Sequence, residues 1–415
     1  MSNAITAVDR DKSRKGILPW CFPVGLALLP LIVLYANKGT VPLLLLCATG
    51  AAFDRLLFDR GRWSVSWQGG VIFVAVLAWG LLTMLWEETP GLAVNKFGQL
   101  AALGSVGFLL HYGIADFSSK ERRRGIVAAT GGIVVAMLLV VVDSQLRGKA
   151  SETLAGLVGF DDFVYSAAKL KAACSLSSVL AGPIALWLWR AGQRWMAIGL
   201  AATIGLAAVL ASSNTSVLAL VVGLVAVGFG EWRPRLGASL AAGLLCLAFG
   251  VAPLAVGALP PPMDMARSTP WLPNSLFHRF AIWKFTAERI AERPILGWGL
   301  DASRELPGGT DRVDVPIFPE PGVIQAMQTQ ALPLHPHNMM LQLWLELGGL
   351  GGILVICGLA WAILKECSTR AGGGHLAVFC AALVVAAASF GAWQSWWLSC
   401  VWLALGLARV ARDDT

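Results

Sequence analysis

Three of the chain's five histidines, His278, His335 and His337, fall in one polar stretch, 259–338, which also carries Arg279. An imidazole titrates near pH ~6.5 and can take a proton from a hydroxyl at neutral pH. A guanidinium stays charged and matches paired oxyanions with two parallel hydrogen bonds. Arg279 and Trp283 are four residues apart, so a helix puts them on one face. His335-Pro336-His337-Asn338 stands directly before an apolar run in which Asn338, Gln342 and Glu346 recur every fourth residue. That spacing draws a polar line along one helix face, with Asn338 available as the cap. An acid near the end of a membrane span is costly against lipid, so Glu346 is expected to face the protein interior. Other readings stay open. Both loop histidines could serve only as helix caps and loop hydrogen-bond partners. They could also share a zinc, although no third ligand is apparent. Arg279 could be a membrane-surface anchor.

The elements that must position these groups are membrane helices. The 415 residues are 56% hydrophobic and 14% charged, against about 25% charged in soluble domains. The apolar runs are about 16–25 residues long, suited to helices crossing a ~30 Å hydrocarbon core and too long for barrel strands. The expected fold is therefore all-α, a polytopic helical bundle. Twelve spans are expected, at about 17–36, 40–56, 69–86, 97–114, 125–142, 172–189, 195–211, 215–230, 236–258, 339–364, 375–391 and 393–409; the second and the last pair are the weakest. The chain then divides into 1–258 (spans one to nine), 259–338 (the loop) and 339–415 (spans ten to twelve). The first span follows Arg10, Lys12, Arg14 and Lys15 without a small-residue cleavage site, which reads as an uncleaved anchor.

Lys and Arg in short loops set the orientation. With the N-terminus inside, the inner loops hold Arg55, Arg60, Arg62, the run Lys120 to Arg124, Arg190, Arg194, Arg233, Arg235, Lys365 and Arg370, whereas the short outer connections hold only Lys38 and Lys96. Both ends then lie inside and the long loop outside. The net charge of +7 reads as topology, with no nucleic-acid partner. The eight cysteines show no metal or disulfide spacing, and the tryptophans near span ends read as an interfacial belt.

Within the loop, Pro260-Pro261-Pro262 gives a stiff exit. A helix is expected from Asn274 or Ser275 as N-cap to Pro294, with Phe277, Ala281, Ile282, Phe285 and Ile290 as its apolar stripe. Gly297-Trp298-Gly299 reads as a flexible turn, and 305–333 as irregular and mobile. A second outer stretch, 143–171, could lie on the membrane as an amphipathic helix. Its Lys169 and Lys171 are either snorkelling residues or cations for an anionic ligand.

The ordered pattern Arg279-x3-Trp283, Pro294-Ile-Leu-Gly297-Trp-Gly299, then His335-x-His337-Asn338-x2-Leu341-x4-Glu346-x-Gly348 resembles the O-antigen ligase and polymerase superfamily. Those are inner-membrane glycosyltransferases with a large periplasmic loop before the last few spans. The motif covers about 70 residues and the topology the whole chain. The resemblance implies transfer of a glycan from undecaprenyl diphosphate to a hydroxyl at the periplasmic face. The acceptor is a lipid A-core sugar in ligases, another lipid-linked glycan in polymerases and a protein hydroxyl in related enzymes. Such a reaction needs a base, for which His337 is the candidate and His335 the understudy. It needs a cation for the diphosphate, for which Arg279 is the candidate. His335, Asn338, Trp283, Arg267, Lys169, Lys171 and Glu346 are candidates for binding the diphosphate or glycan; Lys284, Arg289 and Arg293 are weaker. The only Asp-x-Asp string, Asp9-Arg10-Asp11, is in the N-terminal tail. No cofactor and no active-site metal are expected, and an inverting displacement is implied by the family alone. The competing class is a twelve-span transporter, suggested by Asp59-Arg60-Gly61-Arg62. Its long loop would lie centrally and inside, and two similar halves would be expected. A non-catalytic scaffold is a third reading.

Overall fold

The computed structural model describes residues 16–58, 66–157, 166–320 and 322–412. Asp9-Arg10-Asp11, the basic N-terminal stretch, Asp59-Arg60-Gly61-Arg62 and positions 158–165 of the second outer stretch lie outside the described residues. The apolar helices are α1 (Leu18–Ala36), α2 (Thr40–Phe58), α3 (Trp67–Leu82), α4 (Pro90–Gly113), α5 (Ser119–Leu146), α7 (Ala167–Arg190), α8 (Arg194–Leu210), α9 (Asn214–Trp232), α10 (Pro234–Gly257), α13 (Met339–Cys367), α14 (Gly373–Ala388) and α15 (Ser395–Val410), with the short α6 (Lys149–Leu157) after α5. Among the described residues nine stretches are long and apolar enough to cross a membrane; the first, Leu18–Leu57, contains both α1 and α2, while α8 and α15 are apolar but shorter. The helices fall where the twelve spans are expected. Lipid offers no hydrogen bonds, so a polytopic chain satisfies its backbone within helices.

Small residues let the helices close on one another. A Cβ on Gly182 would sit 2.4 Å from Ala377 Cβ, and one on Gly230 would sit 2.7 Å from Gly373 Cα. The pairs Gly182–Ala377 and Gly374–Pro183 also show that α7 and α14 run antiparallel. Pro253 inside α10 lacks an N–H, which leaves the carbonyl of Phe249 without its helical donor. Trp344 Nε1–H of α13 supplies one at 2.8 Å, and the Trp344 and Phe249 rings stack at 4.9 Å.

The connection between α10 and α13 is folded. It holds α11 (Pro262–Ser268), α12 (Asn274–Glu292), strand β1 (Arg312–Glu320) and strand β2 (Val323–Gln330). The antiparallel hairpin, with Val313 opposite Thr329 and Val315 opposite Met327, replaces the irregular segment expected at 305–333. Val313, Val315 and Ile317 alternate with polar or Pro residues, and β1 buries Val315 against Phe277 of α12 and Met265 of α11. Pro316 fits because each strand of a two-stranded sheet has a free edge. Asn274 is not a cap: its side-chain amide bonds the backbone of Phe318, accepting from its N–H at 2.9 Å and donating to its carbonyl at 3.3 Å. Pro273 occupies the N-cap position instead, without a side-chain cap, and Asn274 is the first helical residue.

Gly297-Trp298-Gly299 is a fixed insertion, not a flexible turn. Helix α13 breaks at Gly348, whose φ is +66°. At the break the N–H groups of Gly349 and Leu350 leave the carbonyls of Leu345 and Glu346 and bond instead to those of Pro294 (2.8 Å) and Ile295 (3.3 Å). The freed Leu345 and Glu346 carbonyls accept from Trp298 N–H (2.8 Å) and Gly299 N–H (2.9 Å). Segment 294–299 thus completes the broken helix as a neighbouring strand would. A Cβ at Gly297 would lie 2.4 Å from Gly348 N, and one at Gly348 2.2 Å from Ile295 O, so glycine is required on both sides.

Candidate functional site

Helix α12 brings Arg279 and Trp283 to the histidine loop. Phe277, Ile282 and Ile290 are buried, which fixes the helix by its apolar face and leaves Arg279 half-buried. Among the described residues no hydrogen bond or ion pair engages the Arg279 guanidinium. Burial lowers its pKa below the ordinary arginine value, but a guanidinium remains charged. An unpaired, partly desolvated cation is a standing attraction for an anion. Trp283 has its indole N–H on the carbonyl of Pro336 at 2.8 Å, so it holds the loop that carries both histidines. His278, next to Arg279, bonds Thr329 Oγ1 of β2 at 3.1 Å.

His337 sits in the left-handed region at φ +53°, a strained position for a side-chain-bearing residue. Its backbone N–H donates to His335 Nδ1 at 3.1 Å. Its own Nδ1 is 2.8 Å from the carbonyl of Ser389, just beyond α14. A carbonyl only accepts, so the neutral ring carries its proton on Nδ1 and leaves Nε2 as the basic lone pair. No hydrogen bond engages that Nε2 among the described residues. Burial lowers the His337 pKa; the Ser389 carbonyl opposes the shift and the Arg279 and His278 charges add to it.

His335 is buried and behaves differently. Its Nδ1 accepts from His337 N–H, so the proton of its neutral ring is on Nε2, which faces the Gln394 side-chain amide at 2.9 Å; that amide must turn its oxygen, otherwise buried without a partner, to the ring to accept it. Burial, then the His337 and Arg304 charges, push its pKa down to about 3. With both ring nitrogens engaged, it stands as a strut between the histidine loop and Gln394.

Glu346, fully buried, accepts four hydrogen bonds: from Asp301 N–H (2.6 Å), Ser303 Oγ–H (2.5 Å), Gln342 Nε2–H (2.9 Å) and Trp393 Nε1–H (2.6 Å). It ties α13 to the inserted loop and to the α14–α15 connection. Asp301 also faces Lys96 of α4 at 3.4 Å and Arg304 at 2.9 Å. Glu87 lies beside this network, with both carboxylate oxygens buried and, among the described residues, without a hydrogen-bond partner. Burial, then the Glu346, Asp301 and Glu305 charges, raise its pKa to about 7. An apolar groove of about 610 Å³, lined by Pro253, Leu254, Lys284, Ala287 and Trp344 among others, runs between α10 and α12.

The structure brings together Arg279, Trp283, His335, His337, Asn338 and Glu346. Asn338 caps α13, its Oδ1 accepting from Met340 N–H and Leu341 N–H at 3.0 and 3.3 Å. Arg267 is exposed and pairs with Asp264 on its own helix at 3.2 Å. Arg289 pairs with Glu292 at 2.8 Å, and Arg293 covers the Trp298 ring at 3.9 Å. Lys169 and Lys171 lie in the first two turns of α7; the antiparallel register with α14 sets them at the Ser389 end of the bundle. Ser389, Gln394, Trp393, Lys96, Arg304 and Glu87 were missed. Ser389 acts through its backbone, which no side-chain pattern reveals, whereas Lys96 was legible as a cation on the side expected to be outer.

Residues 199–356 match a protein-family model described as O-Antigen ligase. A relative from Rickettsia conorii, named as a candidate polysaccharide ligase, is 32% identical over 159 residues, 37% of this chain and 36% of the relative. A similarly named protein of Rickettsia prowazekii is 34% identical over 145 residues, 34% of each chain. The alignment thus spans about a third of these relatives' length. The family stretch contains Arg279, His337 and Glu346, and it ends before Ser389.

Proposed function

We propose that this chain, which is similar to O-antigen ligases over residues 199–356, belongs to that superfamily and moves a glycan from undecaprenyl diphosphate to a lipid A-core sugar hydroxyl at the periplasmic face of the inner membrane. The observation that carries the proposal is the pairing of an uncommitted guanidinium, Arg279, with an imidazole whose Nδ1 is bonded to the Ser389 carbonyl and whose Nε2 is free for a proton. In the proposed reaction the acceptor oxygen attacks the anomeric carbon as the bond from that carbon to the phosphate oxygen breaks. The hydroxyl proton goes to His337 Nε2. The undecaprenyl diphosphate leaves with the bonding electron pair, and Arg279 meets its charge. A positioned base contributes about 10²–10⁴ in rate, and a fixed cation at a developing oxyanion about 10²–10³. Trp283, His335 and Glu346 hold the two reacting groups in register. The groove between α10 and α12, with Lys284 on its wall, suits an isoprenoid tail.

The test is transfer by purified protein from undecaprenyl-diphosphate glycan to rough lipopolysaccharide, with no divalent ion added. Glycan on the lipopolysaccharide is expected. Lengthening on the undecaprenyl carrier would make the chain a polymerase instead, and transfer to neither would return the protein-acceptor and transporter readings.

A further inference from the structure

A second constellation lies at the end of the bundle opposite His337, about 20 Å away along α14 at 1.5 Å per residue. His111, Glu366 and His375 each present a ligand atom within 4.8 Å of the other two. They come from the last turn of α4, the last turn of α13 and the first turn of α14. His375 is 1% exposed. Among the described residues neither of its ring nitrogens has a hydrogen-bond partner, and His111 Nδ1 is likewise buried and unpartnered. Buried polar atoms are normally satisfied, so these ring nitrogens are available to a ligand.

The donor set is two imidazoles and one carboxylate, which suits a zinc-class ion. Donors about 2.0–2.1 Å from a tetrahedral zinc stand roughly 3.4 Å apart, so a contraction of little over ~1 Å closes the cluster. The surrounding charge opposes an ion and narrows the choice. Arg409 Nη1 is 3.4 Å from His111 Nε2, Arg412 Nη1 is 3.4 Å from Glu366, and Arg122 reaches the carbonyl of Arg412 at 2.7 Å. Hard cations such as Mg²⁺ and Ca²⁺ are held mainly by oxygen ligands and carboxylate charge, which is scarce here. A borderline ion gains most of its affinity from the imidazole nitrogens. Both arginine contacts are long, and a ligated Glu366 would be released from Arg412. We propose that His111, Glu366 and His375 form a structural zinc-class site, with water as fourth ligand, that staples α4, α13 and α14. It is independent of the transfer chemistry.

The test uses the full chain in detergent, stripped with EDTA and dialysed against Zn²⁺ or Mg²⁺, with bound metal measured by mass spectrometry. A single zinc per chain and no magnesium are expected. So are a Tm raised by zinc and a transfer rate at low temperature that zinc leaves unchanged. H111N and H375N should each weaken zinc binding at least tenfold and abolish the Tm rise. Should either variant fail to fold, X-ray absorption of the zinc-loaded wild-type protein decides, because imidazole scattering is then required. Folded wild-type protein that holds no zinc, equal zinc in both histidine variants, or a bound zinc without imidazole ligands would each overturn the site.

Discussion

At the scale of single residues, His337 and Arg279 are distinguished by what they leave unsatisfied. His337 spends Nδ1 on a carbonyl and keeps Nε2 open, whereas His335 spends both ring nitrogens. Replacing His337 by alanine should cut transfer by about 10²–10⁴ while the thermal unfolding temperature hardly moves. The same change at His335 should lower stability and activity together, because it empties a buried strut. Arg279→Ala should cost about 10²–10³, and Arg279→Lys should recover only part, since an ammonium cannot offer the two parallel donors. Wild-type turnover by either variant would remove that residue from the mechanism. Because burial depresses the His337 pKa, its neutral form persists below pH ~6.5. The acid limb of the pH–rate profile should therefore lie below that value, and an acid limb above pH 7 would exclude His337 as the base. Both residues stood out in the sequence because their types and placement are rare in a membrane chain. The Ser389 carbonyl that sets the tautomer did not, because a backbone group has no signature.

At the scale of elements, the decisive feature is the exchange of backbone hydrogen bonds between segment 294–299 and the break in α13. The glycines at 297 and 348 were readable as a motif, but their meaning was not: each excludes a Cβ on behalf of the other. Gly348→Ala puts a methyl 2.2 Å from Ile295 O at a positive φ, a backbone clash with no flexible end to yield. It should destabilise by about 3–5 kcal/mol and abolish transfer although the residue has no side chain to do chemistry. Thermal unfolding in detergent checks it, and an alanine variant with native stability would show that the inserted segment does not complete the helix. The hairpin at 312–330 escaped the sequence because its alternation is only three apolar residues long and is interrupted by Pro316. Its strand identity comes from packing Val315 on Phe277.

At the scale of the whole molecule, buried titratable groups outside the spans set opposite pH limits. His335 has a pKa of about 3 when folded and ~6.5 when unfolded. Its contribution to stability is present above pH ~6.5 and is lost as the pH falls toward 3. Glu87 is raised to about 7 from ~4.3 unfolded. Its contribution is fully present below pH ~4.3 and is lost as the pH rises through 7. Glu87→Gln should therefore flatten the stability curve between about pH 4.5 and 7, measured as Tm against pH, and an unchanged curve would mean that Glu87 is not held protonated. The glutamine variant also tests whether the Lys96–Asp301–Glu346 network depends on that proton, since transfer should then persist to higher pH.

Hydrophobic run length by itself determined the helical membrane class and the positions of the apolar helices among the described residues, because a backbone in lipid has no partner but itself. The clustering of His, Arg and Glu around one long connection marked the candidate site, because charge is too costly in a span to be placed without a use. Only the tertiary structure decided which histidine is free to accept a proton, that Glu346 is a four-way tie, and that residues 294–299 repair a broken helix. Those outcomes depend on hydrogen bonds between segments 40–50 residues or more apart in the chain, and sequence spacing carries no record of which distant groups meet.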